Sequence, residues 1–179
     1  MITSINPAAA VIIALVAVER LGELRIANRH TRVLLAEGGI EIGGEHYYLI
    51  VALHAAWLAA IAVAVLAGAV ISWPALILFA CLQPVRFWII RSLGKYWTTR
   101  IITVPGAKLI RRGPYRYVRH PNYLLVAAEI ALLPLAFGAW GIALVFSALN
   151  AILLTWRIRV EAPALAAREP PAPEHVSIK

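Results

Sequence analysis

Residues 47–69 read YYLIVALHAAWLAAIAVAVLAGA and contain no Asp, Glu, Lys or Arg. About 20 consecutive apolar residues are enough for an α-helix to cross the hydrocarbon core of a bilayer. Inside that core the backbone must satisfy its own hydrogen bonds, which a helix does and an open strand does not. The stretch therefore predicts a membrane-spanning helix, and it sets the class of the fold.

Other apolar stretches flank this one, which gives about five transmembrane helices. The chain of 179 residues is 61% hydrophobic and only 15% charged, unlike the composition of a soluble domain. We predict an all-α integral-membrane bundle with a cytoplasmic cofactor pocket, in which the last two helices form a short hairpin. The further stretches lie at 6–24, 72–93, 122–137 and 140–156.

The bundle is expected to form one domain, residues 1–166, with the motifs concentrated in residues 94–165. The stretch 25–46 is amphiphilic and contains two pairs of glycines, so we expect a loop at the membrane surface. Residues 167–179 are rich in proline and polar side chains, which bury too little apolar surface to fold. We expect a disordered tail there.

The cations are unevenly distributed along the chain. All 17 Lys and Arg lie in or near the stretches 25–46 and 94–121 and the C-terminal tail, whereas the turns near 68–73 and 138–140 have none. Because basic loops stay on the cytoplasmic side, five spans place the N-terminus outside and the C-terminus in the cytoplasm. This topology explains the net charge of +8, so we expect no nucleic-acid partner.

One segment differs from the apolar stretches in charge, in aromatic content and in its prolines. Residues 113–123 read GPYRYVRHPNY and combine two arginines, a histidine, three tyrosines and two prolines. Each proline fixes φ at about −65° and removes a backbone donor, so both mark turns or helix starts. A loop that binds lipid head groups would explain the arginines. It would not explain the paired proline and tyrosine residues, which favour a binding site.

The same segment resembles a known family. The RHPxY signature of the isoprenylcysteine carboxyl methyltransferase family is matched by Arg119, His120, Pro121 and Tyr123. Residues 157–165, RIRVEAPAL, are similar to the family element RxxxEExxL, except that Ala162 replaces the second Glu. Relatives of the family methylate phospholipid amines or bacterial alkylresorcinols and alkylpyrones. The resemblance covers residues 94–161, and the segment 97–102 looks most similar to the bacterial lipid-phenol branch.

The resemblance implies an integral-membrane methyltransferase that uses S-adenosylmethionine, in a bacterial inner membrane. It also implies that His120, Tyr123 and Glu161 contact the cofactor. A chain of apolar helices has no room for the sheet and glycine-rich loop of soluble methyltransferases, so helix ends and loops must hold the cofactor. Amides at a helix start suit its carboxylate, and tyrosines suit adenine or ribose. The predicted cofactor-binding residues are Tyr115, Arg119, His120, Pro121, Tyr123 and Glu161.

Charged residues near the end of the last apolar stretch are candidates for catalysis. Glu161 and Arg157 lie one helical turn apart, so they form either a surface ion pair or part of the site. We favour the site, in which Arg159 or Arg157 would neutralise an anionic acceptor. Glu161 and Arg159 are therefore predicted catalytic residues, and Trp97 is a predicted acceptor-binding residue.

Glu129 lies inside a span, where an ionisable group costs about 2.5–3.5 kcal/mol unless it is paired or lines a wet cavity. Arg86 is the obvious partner. Glu129 is therefore either half of a structural bridge or a general base, and we predict it as catalytic, with Arg86 in acceptor binding. Arg20 and Glu23 of the first stretch are expected on a polar face at the membrane surface. No spacing of residues indicates a metal site.

The acceptor should be a lipophilic molecule that reaches the site from the membrane. A carboxylate needs a cation to orient it, whereas a phenol, with a pKa of about 10, needs a base. The resemblance of segment 97–102 favours O-methylation of a lipid phenol or alkylpyrone. The alternatives are carboxyl methyl esterification of isoprenylcysteine-like substrates, then phospholipid N-methylation, then a non-catalytic membrane scaffold.

Overall fold

The computed structural model describes residues 6–166, so the predicted tail at 167–179 lies outside the described residues. Within the described range the all-α bundle of five helices is confirmed, with one two-stranded antiparallel ribbon in addition. The elements are α1 (Pro7–Ala36), β1 (Ile40–Ile42), α2 (Tyr47–Leu66), α3 (Trp73–Leu93), β2 (Ile101–Thr103), α4 (Pro121–Ala136) and α5 (Trp140–Ala166).

Among the described residues, three helices are long and apolar enough to cross a membrane: α2, α3 and α5. Helix α4 is equally apolar but has only 16 residues, and α1 carries charged side chains along its second half. A helix rises about 1.5 Å per residue, so 16 residues reach about 24 Å, slightly less than a hydrocarbon core of about 30 Å. The orientation of the bundle in the membrane stays a prediction.

Two helices are longer than the apolar stretches from which they were predicted. Helix α1 continues to Ala36, so the expectation of a loop over 25–46 is wrong for its first part. The reason is that Ala27, Thr31 and Leu34 continue one buried face at helical spacing, while the polar residues between them face outward. Helices α4 and α5 form the expected hairpin, but α5 continues past residue 156 to Ala166.

The apolar core lies toward the end of the bundle that carries no cations. Trp57 and Ile61 of α2 pack there with Ile130 and Leu133 of α4, together with side chains of α1 and α3. The Trp57 indole Nε1 donates a hydrogen bond to the backbone carbonyl of Ile130 at 3.1 Å, which satisfies its only polar atom. Helix α4 packs against both α3 and α5 and is therefore the central helix of the bundle.

Five polar side chains meet between α1, α3 and α4, and we call them the ionic cluster: Arg20, Glu23, Gln83, Arg86 and Glu129. Arg86 Nε donates to Glu129 Oε1 at 2.9 Å, Nη2 donates to Glu129 Oε2, and Nη1 donates to Glu23 Oε2 at 2.9 Å. Arg20 Nη1 donates to Glu23 Oε2 at 2.8 Å, and Gln83 Nε2 donates to Glu129 Oε1 at 3.2 Å. Arg86 and Glu129 are 7% and 3% exposed.

Arg86 is thus the partner of Glu129 that the sequence indicated. Arg20 and Glu23, in contrast, do not lie on a surface face, because both point inward and complete the cluster. A buried charge that loses its partner is strongly destabilising, whereas a fully paired set is tolerated. The cluster therefore couples the three helices to one another.

We predict that Arg86→Met lowers the free energy of unfolding by about 3–5 kcal/mol, because it leaves the buried carboxylate of Glu129 without its main partner. Adding Glu129→Leu should recover part of that loss, since no unpaired carboxylate then remains. Thermal denaturation in detergent measures both effects. Arg91→Met, at an exposed position of the same helix, is the matched control and should change the melting temperature little. A double variant less stable than Arg86→Met would contradict the prediction.

Candidate active site

The ribbon crosses the basic end of the bundle. Ile40, Glu41 and Ile42 of β1 pair with residues 101–103 of β2, antiparallel. The Arg100 guanidinium donates to Glu41 Oε1 at 2.8 Å and lies 4.4 Å from the centre of the Tyr47 ring. The ribbon thereby connects the start of α2 to the loop that follows α3.

A cavity of about 620 Å³ lies between this ribbon, the loop after β2 and the neighbouring ends of α4 and α5. Its lining includes apolar side chains, which we call the apolar wall, and arginines, tyrosines, a histidine and a glutamate, which we call the polar wall. The lining residues are 93, 96–98, 100–102, 109–111, 115–120, 122, 123, 157, 161 and 165. The volume falls within the range of about 300–1,000 Å³ that is typical of small-molecule sites.

Tyr123 is the centre of the polar wall. Its hydroxyl donates to Glu161 Oε2 at 2.6 Å and accepts from Arg157 Nε at 2.8 Å. The His120 ring stacks on the Tyr123 ring, with centroids 5.2 Å apart and planes 7° from parallel. His120 Nδ1 lies 3.7 Å from Glu161 Oε2. The RHPxY segment and the Glu161 turn of α5, 38 residues apart from Tyr123 to Glu161, therefore form one cluster.

The start of α4 offers fewer free amides than the sequence suggested. His120 is the N-cap and Pro121, the first helical residue, has no N–H to offer. The amides of Tyr123 and Leu124 both donate to the His120 carbonyl, at 3.1 and 3.3 Å. Pro121 is buried and does not line the cavity, so its contribution is to start the helix that carries Tyr123.

The aromatic residues of the cavity differ in their exposure. Trp97 is only 5% exposed and packs with Ala27, Ile89 and Leu125. Tyr115 is half-buried beside that group, and burial raises the pKa of its hydroxyl, which keeps the group protonated. Tyr117 is 78% exposed at the mouth of the cavity.

Positive charge is in excess around the cavity. Five arginines line it, whereas Glu161 is the one acidic residue among the described lining residues. Arg157 is held by Tyr123, and Arg100 is held by Glu41 outside the cavity. The remaining lining arginines are Arg111, Arg116 and Arg119. Such a surface suits anionic groups.

Some predicted site residues are not brought to the cavity. Glu129 and Arg86 lie in the ionic cluster and do not line the cavity. Arg159 is exposed on another face of α5. It is two positions from both Arg157 and Glu161, and side chains two positions apart on a helix point about 200° away from each other. The predicted residues that the structure does place at the cavity are Trp97, Tyr115, Arg119, His120, Tyr123 and Glu161.

Sequence reasoning missed one part of the wall. Thr98, Arg100 and Ile101 line the cavity because the ribbon holds residues 97–102 across it. The isoleucine pair at 101–102 was a possible strand signal, but the facing strand of three residues is too short to be recognised. Arg157, mentioned only as an alternative to Arg159, is the arginine that contacts the cluster.

A helical integral-membrane protein with a polar cavity across its helix ends is the class that the fold and the site define. The model of the isoprenylcysteine carboxyl methyltransferase family matches residues 75–167, just over half of the chain, and the protein belongs to this family. The family is one of membrane methyltransferases whose members use S-adenosylmethionine. The matched region holds the ionic-cluster residues of α3 and α4 and all the residues that line the cavity.

Two bacterial proteins are similar over nearly their whole length. The uncharacterised protein YpbQ of Bacillus subtilis is 39% identical over 160 residues, which is 86% of this chain and 94% of that protein. An uncharacterised protein of Haemophilus influenzae is 31% identical over 154 residues, 82% of this chain and 88% of that protein. No solved structure matches the chain significantly.

The short 3-10 turn that carries Tyr115 begins at Gly113, whose φ is +58°. A Cβ built there would lie 3.0 Å from Ser92 Cβ and 3.1 Å from Trp88 Nε1 of α3. Arg112 Nε also donates to the Ser92 carbonyl at 2.8 Å. The turn is therefore pressed onto the end of α3, and only a glycine fits.

We predict that Gly113→Ala destabilises the protein more than Gly106→Ala. Both glycines have positive φ, so each substitution costs about 1–2 kcal/mol in backbone strain. At Gly106 nothing lies within 4 Å of the added methyl group, whereas at Gly113 overpacking adds about 1–3 kcal/mol. Melting temperatures of the two variants in detergent test this, and equal losses would show that the turn moves away from α3 at little cost.

Proposed function

We propose that the protein transfers the methyl group of S-adenosylmethionine to a lipophilic acceptor, and that the reaction is O-methylation of a lipid phenol or alkylpyrone. The observation that carries the proposal is the contact of Tyr123 with both Glu161 and Arg157 on the wall of the cavity. These residues belong to the two sequence elements that resemble the family signatures. Family membership supports the reaction class.

The residues around the cavity fit the cofactor. The volume of about 620 Å³ leaves space for a nucleoside and a second molecule beside it. Glu161 and the His120 ring suit its amino and ribose groups, Arg119 suits its carboxylate, and Tyr115 offers a flat face for adenine. When bound, the cofactor supplies an electrophilic methyl group on a sulfonium. The task of the chain is to hold both partners in line and to exclude water, for which positioning is worth up to about 7–11 kcal/mol.

The acceptor proton has two destinations in the cavity. Glu161 Oε2 is occupied by the Tyr123 hydroxyl, which leaves Oε1 as the carboxylate oxygen for the acceptor. His120 Nδ1 faces Glu161, so Nε2 is the ring nitrogen that would accept a proton. Glu129 is enclosed by Arg86 and Gln83, so in this proposal it supports the fold and does not act as the base.

The apolar wall indicates where the acceptor chain would lie. Leu93, Ile101, Ile110 and Leu165 line the cavity where it adjoins the ends of the apolar helices. A hydrocarbon chain buried there gains about 0.8 kcal/mol per CH₂ group. The hydrocarbon chain of a lipid acceptor would therefore pack against this wall while its polar ring contacts Glu161 and His120.

The excess of arginines specifically favours a second candidate reaction, carboxyl methyl esterification of an isoprenylcysteine-like acceptor. A carboxylate is already nucleophilic and would need only a cation such as Arg157 or Arg119. The form of segment 97–102, which resembles the bacterial lipid-phenol branch, favours the phenol instead. Phospholipid N-methylation and a non-catalytic scaffold are the remaining alternatives.

We predict that the purified protein in detergent binds S-adenosylhomocysteine, and that His120→Ala and Glu161→Ala each weaken binding at least about tenfold. A hydrogen bond to a charged group is worth about 1.5–3 kcal/mol, which sets this scale. Calorimetric titration measures the dissociation constants, with Arg91→Ala, exposed on α3 and outside the cavity, as the control of unchanged affinity. Folded variants that bind as tightly as the wild type would overturn the site assignment. A wild-type protein that does not bind would favour the alternative of a non-catalytic membrane scaffold.

The acceptor is tested with methyl-labelled S-adenosylmethionine and detergent-dispersed alkylresorcinol, alkylpyrone, farnesylcysteine and phosphatidylethanolamine. We expect label in the phenol or pyrone, as a methyl ether that resists mild alkali. Label that alkali releases as methanol from farnesylcysteine would identify the ester reaction instead. Transfer to the phospholipid amine alone would contradict both.

A further inference from the structure

The segment 94–103 forms much of the cavity wall but is held from outside the family match, by α1. His30 of α1 donates from Nδ1 to the backbone carbonyl of Trp97 at 2.8 Å. Tyr96, Trp97, Thr98, Arg100, Ile101 and Ile102 of this segment line the cavity. A single side chain of α1 therefore contacts the backbone at the middle of the wall.

The face of α1 that meets this wall is continuous. Ala27 and His30, one helical turn apart, flank Trp97: Ala27 packs in the same buried group as the indole, and His30 binds the carbonyl. Thr31 and Leu34 are buried on the same face. This part of α1 lies beyond residue 24, where the sequence had predicted a loop, and it packs on the short turn 94–96. Both contacts with Trp97, from Ala27 and from His30, therefore come from this part of the helix.

Two ion pairs also join the N-terminal part of the chain to the same segment, as does a hydrogen bond between the hydroxyls of Tyr47 and Thr99 at 3.0 Å. Lys95 Nζ lies 2.6 Å from Glu37 Oε2, where both side chains are about two-fifths exposed, and the carboxylate raises the pKa of the Lys95 ammonium. Arg100 binds Glu41 and is 36% exposed. Exposed pairs of this kind contribute little to stability, because water screens them. The hydrogen bond of His30, unlike these contacts, is made to the backbone, beside the buried side chain of Trp97.

We propose that His30 is a positioning residue, which holds segment 94–103 in place at Trp97 so that the cavity has the shape required for its cofactor. The inference rests on the proposed function, because the effect is read as affinity for a cofactor analogue. The imidazole Nδ1–H satisfies the Trp97 carbonyl, and Trp97 is one of the residues that line the cavity. Without this hydrogen bond, residues 94–103 would be held by the ribbon, by the packing of the Trp97 side chain and by contacts between side chains.

The test compares His30→Asn, His30→Gln and His30→Ala in the full-length protein in detergent. Asn carries its amide nitrogen at the same number of bonds from Cα as imidazole Nδ1, whereas Gln carries it one bond farther out. Hydrogen exchange of residues 94–103 reports the wall, and titration with S-adenosylhomocysteine reports the site. Asn28→Ala, on an exposed position of α1 about 200° away, is the matched control.

We expect the Ala and Gln variants to show faster exchange in residues 94–103 and dissociation constants raised about three- to tenfold, the scale of one hydrogen bond. The Asn variant should stay within about twofold of the wild type, and exchange in α4 and α5 should not change. Unchanged exchange in the Ala and Gln variants would overturn the inference, as would equal behaviour of Asn and Gln. Faster exchange throughout the bundle, or unaltered affinity despite a loosened wall, would also overturn it.

A wild-type protein that fails to bind S-adenosylhomocysteine would reject the proposed function and with it the cofactor role of His30. The exchange data remain decisive in that case for the contact itself, because they require no ligand. The two failures are therefore distinguishable.

Discussion

The guanidinium of Arg86 is the group on which the arrangement of the helices depends. It projects from α3 and binds Glu129 of α4 and Glu23 of α1 at the same time. Hydrocarbon offers such charges no other partners, so a rotation of any of the three helices would expose an ion to lipid. The cluster therefore determines which faces of the three helices contact one another, and the apolar side chains pack in the arrangement that results.

The site is built from helix ends, and its precision depends on this scaffold. Tyr123 stands in the first turn of α4, six residues before Glu129, while Arg157 and Glu161 are on α5. Because α4 is held by Arg86 on one side and packs along α5 on the other, Tyr123 meets both residues without a dedicated loop. The remaining walls come from loops, which the ribbon and α1 hold in place.

How far the sequence predicted this structure depended on whether a signal was local. Apolar runs, and Pro121 at the start of α4, identified helices because each acts on its own segment. The pairing of Glu129 with Arg86 was predictable because few ions lie within the spans. Arg20 and Glu23 were misplaced because their spacing of three suits a surface pair equally well, and only tertiary packing distinguishes the two.

Helical phase explains the remaining errors at the site. Arg157 and Glu161 are four residues apart and share a face, so Arg159 between them had to point elsewhere, which the spacing alone could have indicated. The reach of α1 to Ala36 and the ribbon were not accessible in the same way. Both arise because segments distant in sequence bury Ala27 and pair Ile40 with Thr103.

The ionic cluster also has a consequence for how the chain enters the membrane. Arg20 and Glu23 lie together in α1, and their partners Glu129 and Arg86 are synthesised much later. At about 5–20 residues per second, the ribosome takes several seconds to add Glu129 after Glu23. During that interval α1 holds charges that hydrocarbon penalises. We therefore expect the first helix to stay at the membrane surface or beside the translocon until α4 has been inserted.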